Sequence, residues 1–160
     1  MRKFILFYIF YLALFFFLVD YEPMRNFLHL EEFYNSAITQ LSAWFIDLVG
    51  MQVRSAGNIL HLPHANLIIK FGCNGLEAIL IYAAGVLAYP AKTKTKILWI
   101  AIGTIFLEAI NILRIALLAF TIEKYPKIFD IMHDYITQSI MIILAFLLFL
   151  FYLQRTQRAK

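Results

Sequence analysis

The chain predicts an all-α integral membrane protein of four transmembrane helices, with an external interfacial helix and a small external β-meander. Three observations predict it. Hydrophobic residues make up 62% of the 160 residues and charged residues only 15%, far from the balance of a soluble domain. The apolar residues fall in runs close to the ~20 residues a membrane helix needs. The basic residues cluster at the ends of those runs, as membrane orientation requires and nucleic-acid binding does not.

The first run, Phe4–Val19, follows Arg2 and Lys3. A cleaved signal peptide is the alternative. The run ends in Val19-Asp20-Tyr21-Glu22-Pro23 without a small-residue cleavage site, so it reads as an uncleaved anchor. The remaining spans are residues 72–90, ending at Pro90; residues 97–122, carrying Glu108, Asn111 and Arg114; and residues 135–153. Residues 1–160 then form a single membrane domain with an external insert at 20–71.

Four spans put Arg2 and Lys3, then Lys92, Lys94 and Lys96, then Arg155, Arg158 and Lys160 on one side. By the positive-inside rule that side is cytoplasmic, with both termini. The expected location is a bacterial inner membrane, with residues 20–71 and 123–134 at its outer face. Ser36–Met51 contains Gln40, Trp44 and Asp47. As a further span it would move the Lys92–Lys96 loop outside, so it reads as an amphipathic helix on the outer surface, or a shallow re-entrant one. Met51–Phe71 then alternates in short runs broken at Gly57-Asn58 and Pro63, the pattern of a meander. Its backbone polar groups must be paired or wet, so it belongs outside the hydrocarbon.

The candidate chemistry sits at span ends. Cys73 is the only cysteine, which excludes an internal disulfide but leaves a nucleophile. It lies between Gly72 and Gly75, where the second span begins, and the N–H groups of a helix start favour a thiolate. A buried inert thiol is the alternative. Arg114 lies about 25 Å along the third span, near the outer face. An intramembrane arginine usually faces inward to a partner; snorkelling to the interface is the other option. Asn111 and Glu108 share its face at spacings of three and six. Glu77 stands one turn after Cys73 and at the depth of Arg114, where a Glu77–Arg114 pair would neutralise two charges and orient the guanidinium. His133 precedes the fourth span and could exchange a proton with a thiol there; an ordinary interfacial histidine is the alternative. His29 falls in an acidic loop. His61 and His64 are poor evidence for a metal site, and no metal or cofactor is expected.

Gly72-Cys-Asn-Gly-Leu-Glu77, Asn111-Ile-Leu-Arg114 and Phe129-Asp-Ile-Met-His133, in this order, resemble the three motif blocks of the exosortase/archaeosortase family. Leu41-Ser-Ala-Trp44, Val53–Leu60 and Ala88-Tyr-Pro-Ala91 are most similar to its short exosortase H branch. The resemblance covers roughly residues 36–140. It implies an intramembrane cysteine protease and transpeptidase, acting on membrane-inserted C-terminal sorting tails that hold a short motif, a hydrophobic helix and a basic end. Implied roles are Cys73 as nucleophile, His133 as acid–base partner and Arg114 as oxyanion stabiliser, with Glu77, Asn74 and Asn111 in support. Asn74 stands where many members of the family carry Ser. The rival reading is a non-catalytic transporter or assembly subunit with a polar stripe; here the polar residues gather in the outer half of the spans.

Overall fold

The computed structural model describes residues 2–20, 30–70 and 72–158. Residues 21–29 of the insert, His29 among them, lie outside the described residues. The described elements are helix α1 (Arg2–Asp20), helix α2 (Leu30–Leu48), strands β1 (Arg54–Ala56), β2 (Ile59–His61) and β3 (Asn66–Ile68), and helices α3 (Leu76–Ala88), α4 (Thr93–Lys124) and α5 (Gln138–Arg158). A 3₁₀ turn, Pro126–Ile128, and a π-helical segment, Ile131–Thr137, join α4 to α5.

Among the described residues, three helical stretches are long and apolar enough to cross a membrane: Arg2–Val19, Thr93–Lys124, and Ile131–Arg158 with the π segment included. The second expected span, 72–90, is shorter than its apolar run. Helix α3 has 13 residues, about 20 Å against the ~30 Å of a hydrocarbon core. Its start is delayed because Gly72 and Gly75 take φ of 89° and 81°, left-handed values that a helix excludes. It stops at Tyr89, because the following Pro90 pushes that residue into extended backbone. The amphipathic helix expected over Ser36–Met51 begins earlier and ends sooner, as α2.

Each face of these helices has a physical explanation. On α2, Phe33, Leu41, Trp44 and Leu48 are exposed while Asn35, Ile38, Thr39, Ser42 and Ile46 are buried. One side is apolar and outward; the other is half polar and packed. On α1, α4 and α5 the exposed leucines, isoleucines and phenylalanines form broad apolar surfaces, as expected of helices solvated by lipid. Where helices meet, small residues permit close approach. Gly103 of α4 faces the ring of Tyr82 so closely that a Cβ there would lie 2.0 Å from Cε1. The same tyrosine donates its hydroxyl proton to the carbonyl of Trp99 at 2.8 Å, which satisfies its polar end inside the bundle.

Two cores result. Ala78, Ile79, Tyr82, Val86, Leu107, Met141, Ala145 and Tyr152 join α3, α4 and α5. At the other end, Ile38 and Ile46 of α2 meet Leu60, Leu62, Leu67 and Ile69 of the sheet region and Ile115, Leu118 and Ala119 of α4, with Cys73 among them. The sheet is a three-stranded antiparallel meander in the order β1-β2-β3, with Leu60 opposite Leu67 on its buried face. It covers the end of the bundle at which Cys73 lies.

Candidate active site

Cys73 is 1% exposed and sits in the turn ahead of α3, its N–H donating to the carbonyl of Lys70 at 2.9 Å. The turn is held by a polar network from two helices. Asn74 is fully buried. Its Nδ2 donates to Asn35 Oδ1 of α2 at 2.8 Å, and its Oδ1 accepts from the N–H of Leu76, the first residue of α3, at 3.1 Å. Its backbone carbonyl accepts from Asn111 Nδ2 of α4 at 2.8 Å. Asn111 also reaches Glu108 Oε2 at 3.4 Å, and the Tyr34 hydroxyl donates to Glu108 Oε1. Burial, reinforced by the Glu108 charge, pushes the Tyr34 phenol well above its ordinary range, so it remains a proton donor. Gly75 is the tight point: a Cβ there would lie 2.7 Å from Asn111 Cγ.

Around this turn stand the other two sequence candidates. The His133 imidazole stands close enough to Cys73 for the two to interact electrostatically. Its Nδ1 lies 2.6 Å from Asp134 Oδ1, and its ring stacks on Phe129 with centroids 5.6 Å apart. A carboxylate only accepts, so Nδ1 carries the proton and Nε2 is the nitrogen left for the thiol. The π-helical segment holds both His133 and Asp134; such local widening of a helix recurs at functional sites.

Arg114 is 6% exposed. Its Nε donates to Thr137 Oγ1 at 2.9 Å, and its Nη2 is buried with no partner. It interacts electrostatically with both Cys73 and Glu77. The hydrogen bond that holds the guanidinium is therefore the one to Thr137, with Glu77 interacting with it through charge. Thr137 orients it, while the Glu77 carboxylate accepts from Gln138 Nε2 at 2.7 Å. The reason is reach: Thr137 ends the π-helical segment and Gln138 begins α5, and each takes one of the two charged groups. Glu77 acts on Arg114 through charge alone.

Cys73, Arg114 and His133 are thus brought together, with Asn74 and Asn111 holding the turn. His61 and His64 belong elsewhere: His61 bonds Asn66 on the meander, and His64 pairs with Glu123. Sequence reading missed Asn35, Tyr34, Asp134 and Thr137. Asp134 adjoins His133, but neighbours in an ordinary α-helix do not face each other, and nothing in the sequence announced the π segment.

Among curated proteins and among solved structures, no significant match is found. A model of one protein family, described as transmembrane exosortase, matches residues 2–153. That match spans nearly the whole chain, including the Cys73 turn, the Arg114 helix and the His133 segment, and the chain is therefore a multi-pass membrane protein of the transmembrane exosortase family.

Proposed function

We propose that the chain is an intramembrane cysteine peptidase and transpeptidase that cleaves C-terminal sorting tails at the outer face of the bacterial inner membrane. The observation that carries the reading is an arginine whose buried Nη2 has no partner beside the Cys73 thiol, with His133 close to the same sulfur. A buried guanidinium nitrogen without an acceptor costs stability. An oxyanion formed during acyl transfer would supply that acceptor.

In this mechanism His133 Nε2 takes the thiol proton. The Cys73 sulfur attacks the scissile carbonyl, forming a C–S bond, and the oxyanion develops against Arg114. Collapse breaks the C–N bond, and the imidazolium protonates the departing amine of the tail. The thioester on Cys73 is then opened by water, giving hydrolysis, or by an amine, giving transfer. Asp134 keeps the imidazole in the productive tautomer, the role of the third member in related triads. Thr137 positions Arg114.

The proposed topology is four crossings with both termini cytoplasmic. Helix α3 is the short crossing, completed by the Gly72–Gly75 turn at its outer end and Tyr89–Pro90 at its inner end.

The test is tail cleavage in membranes. A reporter protein is given a C-terminal short motif, apolar helix and basic end taken from the same genome. The native chain should release the tail. Cys73→Ala, expressed at matched level, should leave it attached. Cleavage by Cys73→Ala at the native rate would eliminate the thioester mechanism.

A further inference from the structure

A scissile carbonyl must come within bonding distance of the Cys73 sulfur, yet Cys73 is 1% exposed. It is packed in one cluster with Ile38 and Ile46 of α2, Leu60 and Ile69 of the sheet region, and Ile115 and Leu118 of α4. One of these walls must move before a tail can react. We infer that α2 is a lid over the thiol, latched by Tyr34 and Asn35, which swings aside to admit the tail from the lipid side. What enters rests on the peptidase reading above; the opening of the lid can be measured without it.

The other walls are tied down more firmly. Helix α4 also belongs to the second apolar core, with α3 and α5, and among the described residues none of α2 does. The meander buries Leu60 and Ile69 completely. Its β2–β3 turn is pinned to the end of α4 by His64, whose backbone N–H and ring both meet the Glu123 carboxylate. Helix α2 instead buries a face on which Asn35, Thr39 and Ser42 interrupt Ile38 and Ile46. That face offers less apolar area to hold it down. Ser42 Oγ is moreover buried without a partner, which penalises the closed position.

The polar part of the grip is a latch near the start of α2. Asn35 Oδ1 accepts from Asn74 Nδ2 at 2.8 Å, and the Tyr34 hydroxyl donates to Glu108 Oε1. Asn74 adjoins Cys73, so releasing the latch and uncovering the thiol are one event. At the other end, Gly50 follows α2 with a φ of 90° and open space around it, a hinge that can turn without repacking. The outward face of α2, with Phe33, Leu41, Trp44 and Leu48, is apolar and exposed. It meets lipid in both positions, so the swing costs that face little. A ligand shifts such an equilibrium only by interacting better with the open state. The tail does so by giving Ser42 Oγ and Arg114 Nη2 the partners they lack in the closed one.

Cys73 is the only cysteine, so alkylation of the full chain by N-ethylmaleimide in membrane vesicles reports the exposure of this thiol. The native chain should label slowly. Tyr34→Phe and Asn35→Ala should each label roughly two- to tenfold faster, the effect of one lost hydrogen bond. Tyr82→Phe loses the bond to the Trp99 carbonyl in the other core and should label at the native rate. Tyr34→Phe should also lower the KM for tail cleavage, because a larger fraction of the chain is open; a merely structural role would leave KM unchanged or raise it. The lid is overturned, and the peptidase reading stands, if both latch variants label at the native rate while tails are cleaved. Native labelling as fast as that of the unfolded chain, or equal acceleration by Tyr82→Phe, overturns it too. Faster labelling confined to the latch variants, in a chain that cleaves no tail, keeps the lid and removes the peptidase reading.

Discussion

Arg114 and Thr137 are joined by a 2.9 Å hydrogen bond from the guanidinium Nε to the threonine hydroxyl, tying the C-terminal third of α4 to the last residue of the π-helical segment. That bond uses one edge of the guanidinium and leaves Nη2 buried without a partner. Thr137 also reaches back to the carbonyl of His133 at 3.4 Å. One hydroxyl thus connects the two residues proposed to handle the charge and the proton of the reaction.

Arg114→Lys keeps the charge but loses the planar fork. Tail cleavage should fall by about 10²-fold or more, the cost of removing an oxyanion donor. Thr137→Val should lose about tenfold, whereas Thr137→Ser keeps the hydroxyl and should retain most of the activity. These are kcat comparisons at matched protein level. Equal activity for Thr137→Val and the native chain would show that Arg114 does not depend on this bond.

Asp134→Asn should lower kcat with little change in KM, by about tenfold or more, because an amide can hold either tautomer of His133. Asp134 is largely exposed, so folding yield should be unaffected. Asp134→Glu should recover part of the loss. An Asp134→Ala variant with native kcat would remove this residue from the site.

Gly75→Ala combines a left-handed backbone, φ 81°, with a contact of 2.7 Å to Asn111. Neither is relieved without moving the network that holds Asn74. The variant should lose about 2 kcal/mol or more of stability, read as reduced accumulation and a lower unfolding temperature in detergent. Gly57→Ala, at a positive φ with open space around it, should cost less. Equal losses at the two positions would mean that backbone strain alone, not the Asn111 contact, constrains Gly75.

Reporter fusions after Pro90 and after Lys160 should read cytoplasmic, and one after Pro63 should read external. A cytoplasmic signal at Pro63 would place the meander, and with it the Cys73 turn, on the wrong side for cleaving exported tails.

Much was legible in the sequence because the membrane restricts what a chain can do. A run such as Phe4–Val19 has few alternatives to a helix in lipid, since every backbone polar group must be satisfied within the segment. Cys73, Arg114 and His133 could be singled out because a lone thiol, an intramembrane charge and a histidine at a span boundary are all conspicuous against an apolar background. What the sequence did not reveal depends on contacts between elements. Whether Arg114 is oriented by Glu77 or by Thr137 is a matter of angstroms between α3, α4 and the segment before α5. That segment places His133 and Asp134 through π-helical backbone, which leaves no compositional mark. The shortening of the 72–90 span was decided by the left-handed backbone at Gly72 and Gly75 and by Pro90 after Tyr89, with Asn111 packed against Gly75. Hydropathy records how a residue meets its solvent, whether water or lipid. Only packing determines which polar group meets which, and in a site built from single hydrogen bonds that is where the chemistry lies.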